Sequence, residues 1–263
     1  MIRQSEEMQF AVRVAKAAGR ILLGGFGQGV SVEHKGEIDL VTEFDRRADE
    51  YILGRIQKTF PGHRILAEES GRTGEGDSPL WLVDPLDGTT NYAHGIPIFA
   101  VSIALREGGR TRLGVVYDPT RKECFRAERG RGAFLGERRL KVSAVAELRD
   151  SLLVTGFPYD AWSNPDNNLE NYARFAMRSQ GVQRLGSAAL DLAYLAAGRF
   201  DGYWELRLGP WDVAAGGLIA EEAGARVTAL DGESPYLSDH PSLIAANPAL
   251  HAKMTAVIKG VTD

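Results

Sequence analysis

The chain has 263 residues, 44% of them hydrophobic, with a formal net charge of −4 and a sequence pI of about 5.8. That is enough apolar material for a substantial core in one large domain or two smaller ones, and no basic excess marks nucleic acid as a main ligand. The single cysteine leaves no intrachain disulfide, and the longest clean apolar run, residues 98–105, is far short of the ~20 residues that span a membrane.

The opening MIRQSEEMQF carries charges where a signal peptide needs its apolar region, so a cytoplasmic location is expected. Residues 5–23 place Phe10, Val14, Ala18, Ile21 and Leu22 at helical spacing, and Gly24, Gly25, Gly27 and Gly29 break the pattern. A polar loop with His34, Lys35 and Gly36 follows. A second helix fits residues 44–60, with Ala48, Tyr51, Ile52 and Ile56 on one face and Pro61-Gly62 as its stop. Two short apolar runs then end in acids: Ile65-Leu66-Ala67 before Glu68-Glu69, and Trp81-Leu82-Val83 before Asp84. Residues 71–79 between them are rich in Gly, Asp and Ser and read as a mobile loop. A hairpin fits residues 99–106 and 113–117 around Gly108-Gly109, and strands fit 123–127 and 133–135. Beyond Lys141, strands at 152–154, 201–204 and 226–228 alternate with helices at 168–177, 188–197 and 211–223. The first part therefore reads as α+β and the second as α/β, in two sub-domains, 1–140 and 141–263, that share one body.

The most informative stretch is Asp84-Pro85-Leu86-Asp87-Gly88-Thr89-Thr90-Asn91. A strand delivers Asp84, Pro85 cannot donate to a ladder and turns the chain, and a tight turn brings Asp87 beside Asp84. Gly88 permits an unusual backbone angle or a close approach to a ligand. Two acids on one turn repel unless a cation joins them, and hard oxygen donors select Mg²⁺, Ca²⁺ or Mn²⁺ over zinc. Glu68, at a strand end, and Asp212, near a helix start where negative charge is favoured, are candidates to complete the set. Each feature also has a plain structural reading. Asp-Pro and Asp-Gly are turn chemistry, Asp212 is an ordinary first-turn acid, and Glu68-Glu69 is a solvated pair. Cys124 reads as a small strand residue, His94 as a loop histidine, and Trp81 and Trp211 as packing behind the acids. Arg184 suits a subunit interface, a substrate loop or a solvated surface equally.

Three segments resemble the signatures of the inositol monophosphatase family: Leu66-Ala67-Glu68-Glu69-Ser70, the run Trp81 to Tyr92, and Trp211-Asp212-Val213-Ala214-Ala215-Gly216-Gly217. The similarity extends to Asp39-Leu40-Val41-Thr42 with Asp45 and to Asp201 through Glu205. The resemblance implies a layered αβαβα sandwich of the inositol monophosphatase and fructose-1,6-bisphosphatase type. It implies hydrolysis of a small-molecule phosphate ester, foremost myo-inositol 1-phosphate, with two or three Mg²⁺ ions, Mn²⁺ being possible, and inhibition by lithium. It assigns Glu68, Asp84, Asp87, Asp212 and the Leu86 carbonyl to the metals. Thr89, with Glu68, orients the attacking water, and Asp45 supports Thr89. Gly88 and Thr89 amides hold the phosphate, Glu205 and Ala188 face substrate hydroxyls, and Lys35 lies on a mobile loop near the site. Thr90-Asn91-Tyr92 fits the inositol monophosphatase branch better than the histidinol phosphatases or nucleotide 3′-phosphatases. Thr155-Gly156-Phe157-Pro158-Tyr159-Asp160 looks microbial, and some microbial members also cleave fructose 1,6-bisphosphate. A homodimer is implied, and a regulatory role beside transcription machinery is a reading of another class.

Overall fold

The computed structural model describes residues 4–28, 32–34 and 40–261, the Lys35 loop lying outside them. In chain order the first elements are α1 (Glu6–Gly25), β1 (Val32–His34), β2 (Leu40–Thr42), α2 (Glu43–Thr59), β3 (Arg64–Ala67), β4 (Gly71–Thr73), β5 (Leu80–Asp87), α3 (Thr89–Ala93), β6 (Ala100–Glu107), β7 (Arg110–Asp118), β8 (Glu123–Glu128), β9 (Gly132–Leu135) and β10 (Arg138–Arg139). They are followed by β11 (Leu152–Thr155), α4 (Leu169–Ala176), β12 (Gly181–Gln183), α5 (Ala188–Ala196), β13 (Gly202–Glu205), α6 (Pro210–Glu222), β14 (Arg226–Ala229), β15 (Leu243–Ala246) and α7 (Pro248–Ile258).

Eight strands form one sheet in the order β10-β9-β8-β7-β6-β5-β3-β4, and five form a second in the order β12-β11-β13-β15-β14. Period-two alternation sends the side chains of each strand to opposite faces. On β5, Trp81 and Val83 join Phe10, Ile52 and Ile56 of α1 and α2 in one apolar core, whereas Leu80 and Leu82 join the α5 and α6 side chains in another. A third core joins Leu153 and Trp204 of the smaller sheet to Phe175 of α4 and Leu250 and Met254 of α7. The layers are therefore α1/α2, large sheet, α5/α6, small sheet and α4/α7, the αβαβα sandwich that the resemblance implied.

The central layer is thin because its helices carry small residues. A Cβ on Gly114 of β7 would stand 2.8 Å from the Ala215 backbone of α6, and one on Gly216 would stand 2.7 Å from Leu192 of α5. The Ala-Ala-Gly-Gly run after Asp212 is thus a packing requirement that lets α6 lie close to the sheet and to α5.

Two expectations need correction. Residues 71–79 are not wholly loop, because Gly71–Thr73 pairs antiparallel with β3 as an edge strand. Nor does Pro85 end its strand: β5 continues to Asp87, with the proline lodged in a bulge.

His251 on α7 is buried, its Nε2 2.9 Å from the Thr228 hydroxyl, and burial, with Arg226 nearby, pushes its pKa down to about 4 from the ordinary 6.5. The hydroxyl already donates to the Ala229 carbonyl, so Nε2 must carry the proton. A depressed histidine stabilises the fold fully above about pH 6.5, and that contribution drains away as pH falls toward about 4. Melting temperature should therefore drop across this window more in the parent than in His251→Gln, whose amide can still donate to Thr228. Parallel pH profiles for the two proteins would remove His251 as a cause.

Candidate active site

The acids converge because of the bulge in β5. Asp84 pairs with Ser102 and Asp87 with Ala100 of β6, so one extra residue separates the two acids on β5. Without it, positions 84 and 87 would face opposite sides of the sheet; the bulge inverts the alternation and turns both toward α5 and α6. Glu68 follows the end of β3, where the same alternation points it to that side, and Asp212 occupies the first turn of α6.

Protein donors orient these carboxylates. Asp84 Oδ1 accepts from the Leu86 amide at 2.9 Å. Asp87 Oδ2 accepts from the Ser187 hydroxyl at 2.5 Å and the Ala189 amide at 2.8 Å, at the N-terminus of α5. Asp212 Oδ2 accepts from the Gly209 amide at 2.7 Å and closes the first turn of its helix. Burial raises the Asp84 carboxyl well above the usual range, with Glu68, Asp87 and Asp212 adding repulsion. Asp212 is raised for the same reasons, and Asp87 is pushed up to about 6 by burial against the pull of its donors.

This set fits hard divalent ions. It supplies oxygen donors only, each buried acid has one oxygen fixed by the protein, and their mutual repulsion is the condition a cation relieves. Among the described residues no three His, Cys, Asp or Glu side chains enclose a single point. Oxygen donors of this kind suit Mg²⁺, which takes few carboxylates alongside waters and substrate phosphate.

Behind the acids, the Thr89 hydroxyl lies 3.0 Å from Asp45 Oδ1 and 3.0 Å from the Leu86 carbonyl. Asp45 is the third residue of α2, locked in a capping box with Thr42, and burial raises its pKa to about 6. Gly88 has φ +98°, and a Cβ there would stand 2.9 Å from the Ile98 carbonyl, so only glycine fits this turn. Across the pocket, Glu205 ends β13, accepts from the Tyr203 hydroxyl at 2.8 Å, and is raised by burial to about 7. Ala188 opens α5.

Several partners carried no readable signal in the sequence. Ser187 and Ala189 lie about a hundred residues from the Asp87 they hold. Asn91 donates to the Ile98 and Leu185 carbonyls at 2.8 and 2.7 Å, tying the α5 entry loop to the motif. Asp191 is buried beside Glu205 and Asp87, and neither of its oxygens has a partner among the described residues. Three plain readings hold. Burial raises the Cys124 thiol, His94 is exposed at the end of α3, and Trp81 is fully buried. Arg184 is exposed above Gly186, and its charge reaches Asp191 and Glu205.

The profile of the inositol monophosphatase family matches residues 3–262. This chain belongs to the inositol monophosphatase family. Within it, the chain is 43% identical over 259 residues to an inositol-1-monophosphatase of Mesorhizobium japonicum, covering 97% of each. It is 44% identical over 247 residues to a Nus factor SuhB of Pseudomonas aeruginosa, covering 91% of each. Its fold superposes on an inositol monophosphatase structure from Anabaena with a TM-score of 0.88 and 43% identity, over 97% of this chain and 96% of that one. The family makes the chain a phosphatase. No helix among the described residues is long and apolar enough to cross a membrane.

Proposed function

We propose that the chain hydrolyses phosphate monoesters of polyols, foremost myo-inositol 1-phosphate, by direct attack of water with Mg²⁺ in the site. What supports this reading is the closeness of the Glu68, Asp87 and Asp212 charges to buried Asp84, together with the Thr89–Asp45 hydrogen bond. Two or three Mg²⁺ ions, or Mn²⁺, would be held by those four acids and the Leu86 carbonyl; when bound they neutralise phosphate and leaving-oxygen charge and acidify water. Thr89 donates a hydrogen bond to Asp45 and keeps its lone pairs to accept from the attacking water. Glu68 takes that water's other proton as its oxygen closes on phosphorus. The ester P–O bond breaks in line, and the alcohol leaves with a proton drawn from solvent, so water is consumed and phosphate and alcohol are released. Gly88 and Thr89 amides grip the phosphate, and Glu205 with the Ala188 backbone faces the substrate hydroxyls. No protein nucleophile is needed, since Cys124 lies buried in β8.

The test is phosphate release from myo-inositol 1-phosphate and fructose 1,6-bisphosphate with Mg²⁺, with EDTA, and with Li⁺ added. Release from the inositol ester that requires metal and is suppressed by Li⁺ is expected. A faster rate on the bisphosphate would transfer the main substrate to that ester. The relative named Nus factor SuhB favours a second reading, a partner in transcription machinery. A pull-down with the catalytically disabled Asp87→Asn chain separates that role from catalysis. Sedimentation would measure whether the chain forms the homodimer that the family resemblance implies.

A further inference from the structure

Gly156 follows β11 and is so close to Glu205 that a Cβ there would fall inside the van der Waals envelope of the Glu205 carboxylate. The position of Gly156 therefore limits where that carboxylate can stand.

One side chain holds Gly156 in place. Asn168 is 3% exposed and sits in the left-handed region at φ 72°, a conformation asparagine tolerates better than most residues. Its Nδ2 donates to the Gly156 carbonyl at 2.7 Å and to the Thr155 hydroxyl at 3.0 Å. Its Oδ1 accepts from the Trp204 indole N–H at 2.7 Å. An indole can only donate and a carbonyl can only accept, so the amide orientation is forced. Thr155 closes the ring by donating to the Trp204 carbonyl at 2.5 Å. This ring ties β11, on one side of Glu205, to β13, which carries it. Asn168 begins α4 without capping the helix, because its side chain is committed to this ring. Beyond it, Arg207 anchors the intervening loop through Asp160 and Asp166 at 2.5 and 3.2 Å.

We propose that Asn168 is a positioning residue for substrate selectivity: by holding Gly156 against Glu205 it sets the carboxylate that faces the substrate hydroxyls. The inference rests on the reading of Glu205 as the hydroxyl-facing acid. It predicts that loss of the ring weakens recognition of a polyol phosphate and spares an ester with no hydroxyls beside its leaving oxygen.

The experiment compares kcat and KM for myo-inositol 1-phosphate and phenyl phosphate at saturating Mg²⁺ in Asn168→Gly, Gly156→Ala and Glu205→Gln. Glycine keeps the left-handed backbone and removes only the ring, while Gly156→Ala displaces Glu205 directly. Both should raise KM for the inositol ester about tenfold, the scale of losing one or two buried hydrogen bonds, with kcat/KM for phenyl phosphate within about twofold. Melting curves establish that each variant is folded. If Asn168→Gly and Gly156→Ala lower both esters equally, or neither, while Glu205→Gln loses selectivity, the positioning role is overturned. If Glu205→Gln itself leaves selectivity intact, the parent reading of Glu205 fails and takes this one with it.

Discussion

Asp87→Asn is expected to lose turnover by at least about a hundred- to a thousandfold, the range seen when one electrostatic contact to a reacting oxyanion is removed. It should do so without unfolding. The asparagine oxygen can replace Oδ2 as acceptor for Ser187 and Ala189, so the tie to α5 survives. Its amide then stands where the second carboxylate oxygen stood, a donor in place of a ligand for hard cations. Asp87 also adds to the repulsion that raises Asp84 and Asp212. Removing its charge should leave the metal-free protein at least as resistant to heat as the parent. Ligand binding stabilises in proportion to occupancy, so the rise in melting temperature on adding Mg²⁺ should shrink. The pairing of an unharmed metal-free fold with a blunted Mg²⁺ response is specific to a metal acid. A variant with full turnover would end the assignment of Asp87, and one that is simply unstable would make it a structural cap of α5.

Much of this site could be read before the fold was known, for reasons that are local. Asp84, Asp87 and Gly88 sit in one short motif, and Asp212 follows a Gly-Pro helix entry, so residue type and spacing already suggest chemistry. The helices were legible because apolar residues repeat along α1 and α2 at helical spacing. The route by which the acids meet was not. Pro85 reads as a stop, and a bulge that inverts strand alternation has no signature in the strand that carries it. Ser187, Asn91 and Asn168 act across long sequence separations, and a serine or asparagine in a loop looks alike whether it faces water or holds an active site. The β15 strand and α7 helix went unread because Leu243–Ala246 is short and Ala-rich, and α7 is apolar over much of its surface. Glu205 was legible only through family resemblance, since an acid at the end of a strand is common.

Trp81→Ala should cost about 3–5 kcal/mol of stability, the usual scale for emptying a large aromatic site. Trp81 is fully buried among Phe10, Phe60 and His63, with ring centroids 5.7, 5.6 and 6.3 Å away, and its indole donates to His63 Nδ1 at 3.1 Å. The alanine leaves a cavity and removes the indole's hydrogen bond to the imidazole. Such a loss is a large share of the 5–15 kcal/mol that holds a typical domain together, so the melting temperature should fall by several degrees or more. The active site should nevertheless remain in register. Trp81 points toward α1 and α2, whereas Asp84 on the same strand points to the opposite face, and the backbone pairing of β5 with β3 and β6 does not depend on the indole. Below the new melting temperature, kcat and the Mg²⁺ requirement should stay within a few-fold of the parent. A tryptophan that stacked on substrate would behave in the opposite way, raising KM with little change in stability. Measuring both quantities on one variant decides between them: an unchanged melting temperature with a raised KM would place Trp81 in the binding site, and a lowered one with unchanged kinetics would confine it to the core beneath the sheet.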